Sequence, residues 1–160
     1  MLYASENNGR LPRYREGRFD ASGTWIRGQF WHTTIKPYMD NAKDDYLKCP
    51  VEKRNLDYHY GLNASISDKP LGGPGEKFQA VVLPSRRFLV ADNNSVGGDG
   101  SRITMPAFHN EAAFRHPGTR CNILFLDGHV ELLKLEDLPL SSNGFKTSDL
   151  EYKAFYLGQQ

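Results

Sequence analysis

The alternation of apolar and polar residues is clearest between Cys121 and Leu133. Two apolar runs, Ile123-Leu124-Phe125-Leu126 and His129-Val130-Glu131-Leu132-Leu133, flank the dipeptide Asp127-Gly128. This pattern predicts a β-hairpin, because a two-residue type I′ turn needs positive φ at both central positions and Asp and Gly tolerate it. Such a turn fixes the register: Leu126 faces His129, Phe125 faces Val130, Leu124 faces Glu131 and Ile123 faces Leu132. Ile123, Phe125, Val130 and Leu132 then share one face that must be buried, while Leu124, Leu126, His129 and Glu131 form a mixed one.

Other segments carry weaker periods. Leu56, Tyr58, Tyr60 and Leu62 alternate with Asp57, His59 and Gly61, the period of a half-buried strand. Phe88 to Ala91 reads as a strand after the turn at Leu83-Pro84, and Ile103-Thr104-Met105 as a short one before Pro106. Trp25, Ile26, Phe30, Trp31 and Ile35 lie at helical spacing behind the cap Thr24, and Pro37 ends that segment. Near the start, Asn8-Gly9 supplies a left-handed stop and Pro12 its follow-up, so residues 1–7 read as the last turn of a helix. Ser148 and Glu151 make a capping box ahead of Leu150, Ala154 and Leu157. Residues 7–23 and 68–77 read as loop.

Composition narrows the class. A length of 160 residues allows one domain with a core, and 15 Gly, 9 Pro and 39% hydrophobic residues favour a loop-rich, strand-containing protein over a helical bundle. Twenty basic against 19 acidic residues give a net charge of +1, so no global field selects nucleic acid, and Arg10, Arg13, Arg15 and Arg18 read as a solvated loop. No apolar run reaches membrane-spanning length, and no signal peptide is visible. Cys49 and Cys121 allow one disulfide, which their positions alone do not settle.

His116, a spacer of ten residues and Asp127-Gly128-His129-Val130 resemble the C-terminal signature of the prepilin-type processing-associated proteins, which is a histidine, nine residues and Asp-Gly. The extra residue implies an insertion or bulge around Pro117 to Arg120. Cys49-Pro50 followed by Tyr60-Gly61-Leu62-Asn63 is a second resemblance in the expected order, and Tyr3-Ala4 through Asn7-Asn8-Gly9 and Leu11-Pro12 is a third. These proteins are relatives of type II secretion pseudopilins. The resemblance implies an apolar helix ahead of Met1, absent from this chain, and a Cys-Pro cysteine able to partner one in that helix.

Three chemistries can be weighed on the residues. A zinc hydrolase would use His116 and His129 with His109 or Asp127, but the helical His spacing of such sites is missing, and Asp127 has a sufficient explanation as a turn residue. His116 is expected instead to hydrogen-bond to backbone across the sheet. Asp92, Asn94 and Asp99 could offer oxygens to calcium, a reading strengthened by the calcium loop of major pseudopilins. Against it, Val96 occupies a ligand position and no Glu closes the loop. Trp25, Trp31 and Tyr38 could form a sugar-stacking platform, with core packing as the alternative. The sequence shows no nucleophile elbow, phosphate loop or dinucleotide fingerprint. Asn63-Ala64-Ser65 and Asn93-Asn94-Ser95 are formal glycosylation sequons.

The expectation is an α+β, pilin-like domain over residues 1–160: an N-terminal helix stub on an antiparallel sheet with strands near 56–62, 87–91, 122–126 and 129–133, and long loops. By resemblance it is a non-enzymatic head with no required cofactor, extracytoplasmic and held at the inner membrane by the missing helix. Its partners would be other pilin or pseudopilin subunits and prepilin peptidase. A secreted carbohydrate- or substrate-binding module and a metal-dependent hydrolase are the alternatives.

Overall fold

A computed structural model of the chain describes residues 2–13, 15–19, 21–22, 25–39, 47–56, 59–67, 83–94, 102–103 and 111–138. Asp99, His109, the loop 68–77 and the helix expected after Ser148 lie outside them. The described elements are α1 (Leu2–Glu6), β1 (Arg15–Phe19), β2 (Trp25–Phe30), α2 (Trp31–Ile35), β3 (Tyr60–Asn63), α3 (Ala64–Ser67), β4 (Phe88–Asp92), β5 (Arg102–Ile103), β6 (Arg120–Phe125) and β7 (Val130–Lys134), with 3-10 turns at Lys36–Tyr38 and Leu135–Asp137. β1 and β2 pair as a two-stranded ribbon, and the other five strands form a sheet in the order β5-β3-β4-β6-β7. The architecture is therefore mixed α and β. Among the described residues no helix is long and apolar enough to cross a membrane.

Three sequence expectations need correction here. The sheet is not wholly antiparallel, because β5 runs parallel to β3, pairing Leu62 with Arg102 and Asn63 with Ile103. The segment beginning at Trp25 is a strand before it becomes a helix at Trp31, and its partner Arg15–Phe19, within the 7–23 stretch read as loop, is a strand too. Ribbon pairing overrides the helical spacing of its aromatics, as tertiary context commonly overrides a short local period. The strand expected over 56–62 is described only from Tyr60, since Leu56 is buried in the loop before it.

The hairpin forms, but its register is one residue from the expected one. Ile123 pairs with Glu131, Leu124 with Val130 and Asn122 with Leu132. Asp127 does not adopt positive φ; Gly128 does, at +98°. The Gly128 N–H donates to the Phe125 carbonyl at 3.0 Å and the Phe125 N–H to the His129 carbonyl at 2.9 Å, which makes a three-residue loop closed by a glycine bulge. The shift turns the whole of β7 over. Val130 and Leu132, expected inside, are 61% and 41% exposed, whereas Leu133, opposite Cys121, packs against the core.

Both sheet faces are covered. One carries Phe88, Ala91, Ile103, Cys121, Ile123 and Phe125 under Ala112 and Leu138; the other carries Leu62, Leu89 and Leu126 under Leu11, Trp31 and Ile66. Strict alternation would not place Phe88 and Ala91 together. An irregularity between Phe88 and Val90 changes the register against β6 and turns Leu89 and Val90 toward the second face. α1 ends as its sequence predicts, with Asn8 and Gly9 at φ +55° and +71° and the Gly9 N–H on the Ala4 carbonyl at 2.7 Å. Its Tyr3 ring meets Tyr38 edge-on, and Leu11, which follows, enters the core on the sheet.

Two glycines set limits that can be measured. A Cβ on Gly61 would lie 2.6 Å from Cγ1 of Ile103, itself fully buried, because the parallel strand β5 passes close over β3. A Cβ on Gly128 would meet nothing within 4 Å, leaving only its conformational cost. Gly61→Ala is expected to destabilise by roughly 1–3 kcal/mol through overpacking. Gly128→Ala should cost about 1 kcal/mol through strain. Urea unfolding of both variants checks the order.

Candidate functional site

Polar groups converge on the second face of the sheet, at the end where β4 finishes. The pairing of Tyr60 with Asp92 and of Ala91 with Ile123 puts the Asp92 side chain in line with Tyr60 and Asn122, inward and fully buried. A carboxylate in that position requires partners. Its Oδ2 accepts the Asn122 N–H at 2.6 Å and lies 3.1 Å from Nε2 of His116. Among the described residues its Oδ1 has no hydrogen-bond partner. Burial pushes the Asp92 carboxyl above its ordinary range, against the pull of the Asn122 N–H and of His116.

His116 reaches this carboxylate through a tight turn. Its N–H donates to the Arg120 carbonyl at 3.0 Å and the Arg120 N–H donates back at 3.3 Å, with Gly118 and Thr119 both left-handed between them. The turn occupies Pro117 to Thr119. Among the described residues His116 pairs with backbone through its own main chain. Its ring meets side chains, with Nε2 2.6 Å from Nδ2 of Asn122 and 3.7 Å from Sγ of Cys49.

Cys49 belongs to the loop that precedes β3, and both cysteines are free thiols, so the Cys49–Cys121 disulfide does not form. The Cys49 N–H donates to Nδ1 of His59 at 3.0 Å, while Pro50 and Val51 remain exposed. Cys121 lies on the opposite face of the sheet, where burial, reinforced by Asp92, pushes its thiol up to about 12. Burial likewise raises Tyr60 to about 12, helped by Cys49 and Asp92.

Arg115 holds the same loop from its other side. One guanidinium nitrogen donates to Oε2 of Glu52 at 2.8 Å; the other donates to the carbonyls of His59, at 3.2 Å, and of Asn93. Glu52 also takes Arg54, with contacts of 2.9 and 2.6 Å. The hydrogen bonds from Arg54, joined by the charge of Arg115 and opposed by burial, hold the Glu52 carboxyl down to about 2. His59 is kept below its usual range by burial first and by the Arg115 charge second, so it sits neutral as an acceptor.

The remaining sequence candidates scatter. His129 lies at the opposite end of β6 from His116, stacked on Phe125 at 4.4 Å, with Nδ1 2.5 Å from Asp127 and Nε2 3.5 Å from Glu131; a zinc shared by His116 and His129 has no geometry here. Of the calcium candidates, Asp92 turns its carboxylate to Asn122 and His116, Asn94 is exposed with its N–H on the Glu111 carbonyl at 2.6 Å, and Asp99 lies outside the described residues. Trp31 is a core residue at 4% exposure and offers no ring face to a sugar. Tyr38 is half-buried and takes the Asn7 amide on its hydroxyl at 3.4 Å; Trp25 sits on β2 opposite Phe19. Asn63 is fully buried, donates to the Phe88 carbonyl at 2.9 Å and caps α3 by accepting the Ser65 N–H at 3.0 Å. It is therefore no glycan acceptor, and Asn93 is equally buried.

Cys49, His116 and Asp92 superficially resemble a nucleophile, base and orienting acid. A proton relay needs the acid on one ring nitrogen and the nucleophile on the other. Here both meet Nε2, so acid and thiol do not stand on opposite ring nitrogens as a relay across the imidazole requires. Glu52, His59, Arg115 and Asn122 were not singled out by sequence. One signal was available: Asp92 ends a strand in phase with inward-facing Val90, and an inward carboxylate demands partners elsewhere in the chain.

Compared with protein-family models, with curated proteins and with solved structures, the chain gives no match in any of the three.

Because Glu52 titrates near 2 in the folded protein and near 4.5 when free, its contribution to stability is complete above about pH 4.5 and is lost as pH falls toward 2. Glu52→Gln is expected to lower stability by about 1–2 kcal/mol at pH 7 and to flatten this acid limb. Urea midpoints for both proteins from pH 7 to 2.5 measure it.

Proposed function

We propose that this chain is the globular head of a pseudopilin-like or type IV pilin-like structural subunit, without enzymatic activity, that assembles into a pseudopilus or surface fibre. The reading rests on the three ordered motif resemblances. The observation that carries it is the use made of the signature residues. His116 secures the buried Asp92 and Asp127-Gly128 turns a hairpin, so both serve a scaffold. Sγ of Cys49 lies 3.7 Å from the same imidazole, and the Gly of Tyr60-Gly61-Leu62-Asn63 makes room for β5. These motifs thus act together as one structural unit.

Two further features support a subunit. α1 leads into the core-forming residue Leu11 through a well-made helix stop, the arrangement a longer assembly helix would need ahead of a pilin-like head. β7 ends the described sheet and presents Val130 and Leu132 on one side, with exposed Leu135 beyond. Apolar surface on an edge strand suits the head-to-tail contacts of a fibre. In this reading the head is extracytoplasmic, an upstream apolar helix anchors it at the inner membrane, and prepilin peptidase processes that helix. The sugar-binding alternative loses its principal anchor with Trp31 in the core.

Expression of the natural gene, with whatever coding sequence precedes Met1, in cells with and without prepilin peptidase tests the proposal. Intact-mass analysis should show a peptidase-dependent loss of a short leader, and a gene product with no apolar helix upstream, or with a mass indifferent to the peptidase, overturns it. In the processed protein, Val130→Lys with Leu132→Lys should abolish assembly into sedimenting fibres while the melting temperature of the head stays within a few degrees.

A further inference from the structure

The surroundings of His116 contain more ligands than hydrogen bonding can use. Three polar atoms meet its Nε2: Asp92 Oδ2 at 3.1 Å, Asn122 Nδ2 at 2.6 Å and Cys49 Sγ at 3.7 Å. A ring nitrogen carries either one proton or one lone pair. With a proton it donates to Asp92 and opposes the Asn122 amide; with a lone pair it accepts from Asn122 and faces the carboxylate unmatched. In this amide orientation either state leaves a close polar contact unmatched; with the amide turned, a protonated Nε2 is shared between Asp92 and the Asn122 oxygen, but the second Asp92 oxygen still has no partner among the described residues, on a residue with no solvent exposure.

A cation between these atoms satisfies them together. Sγ of Cys49, a carboxylate oxygen of Asp92 and a ring nitrogen of His116 all lie within 4.8 Å of one another. Tetrahedral zinc, with bonds of about 2.0–2.1 Å to nitrogen and oxygen and about 2.3 Å to sulfur, separates its ligands by roughly 3.4 Å for a nitrogen–oxygen edge and 3.6 Å for a nitrogen–sulfur edge. The observed 3.1 and 3.7 Å come close to these edges. One thiolate, one imidazole and one carboxylate form a mixed set that suits zinc better than calcium or magnesium, which take oxygen alone. A half-turn of the Asn122 amide would offer a carboxamide oxygen as the fourth ligand, once it withdraws from its present 2.6 Å approach to His116 toward the tetrahedral edge.

We propose that Cys49, Asp92 and His116 form a structural zinc site that pins the Cys49-Pro50 loop to the inner face of the sheet. On binding, the Cys49 thiol gives up its proton to solvent and its sulfur bonds the metal. The site is closed: Cys49 is 2% exposed and Asp92 not at all, while the His116 side chain, at 13%, marks the path in from the rim. Such a centre binds the loop before β3, the end of β4 and the turn before β6 together, a crosslinking role with no open position for substrate. The site stands apart from the pilin-like reading, since neither requires the other.

Zinc titration of the full chain, first stripped by chelator and dialysed, tests the site. One zinc per chain and a melting temperature that rises with zinc are expected, and cobalt in its place should give tetrahedral visible bands with a thiolate-to-metal charge-transfer band. Cys49→Ser should weaken zinc binding at least about 100-fold. Cys121→Ser and His129→Ala should bind as the parent does. Substoichiometric zinc, a cobalt spectrum without the thiolate band, or unchanged affinity in Cys49→Ser overturns the proposal. Should Cys49→Ser not fold, the cobalt spectrum of the parent chain decides alone.

Discussion

A carboxylate placed inside a sheet organises this protein. Asp92 ends β4 facing the core, and a charged or even a neutral carboxyl there is costly unless donors meet it. The Asn122 N–H supplies one from β6, and the His116 ring supplies another from the turn before β6. Each donor is fixed by main-chain pairing of its own: Ala91 with Ile123 brings Asn122 alongside, and His116 with Arg120 aims the imidazole. The adjacent backbone is used as well, since the Ala113 N–H donates to the Asp92 carbonyl at 2.8 Å. One residue thus draws three chain segments to one end of the sheet.

The segment 47–56 ahead of β3 depends on that assembly. Its apolar burial comes from Cys49, Leu56 and the partly buried Leu47, and polar contacts hold it as well. The Cys49 N–H on His59 closes it, and Arg115 ties Glu52 and the His59 carbonyl to the end of β4. A guanidinium suits the task, because its planar donors reach a carboxylate and two carbonyls at once. Arg115 and His116 are neighbours in sequence, so a single segment delivers both contacts.

The opposite end of β6 follows a different logic. There the glycine-bulged loop lets His129 stack on Phe125 and pair with Asp127, all at or near the surface. The register that results leaves β7 polar and partly apolar on its outer side, with no place for Val130 or Leu132 in either core cluster. The molecule therefore has one end built around buried polar contacts and one edge open to contact.

Local sequence determined those features whose cause is local. Asn8-Gly9 stops a helix, Asp127-Gly128 turns a hairpin, Phe88 to Asp92 and Cys121 to Phe125 are strands, and each follows from turn chemistry or alternation within a few residues. What depends on partners far along the chain was not legible. The parallel seating of β5 on Gly61 and the burial of Trp31 are settled by pairing and packing across tens of residues, and the strand at Trp25 by pairing with the nearby β1. The one-residue register shift turned on whether Asp127 or only Gly128 would take positive φ, a choice made by the fit of β7 against the rest of the sheet. For the same reason Cys49, Asp92 and His116 read as three unrelated residues in sequence, and only the fold, by turning one carboxylate inward, makes them neighbours.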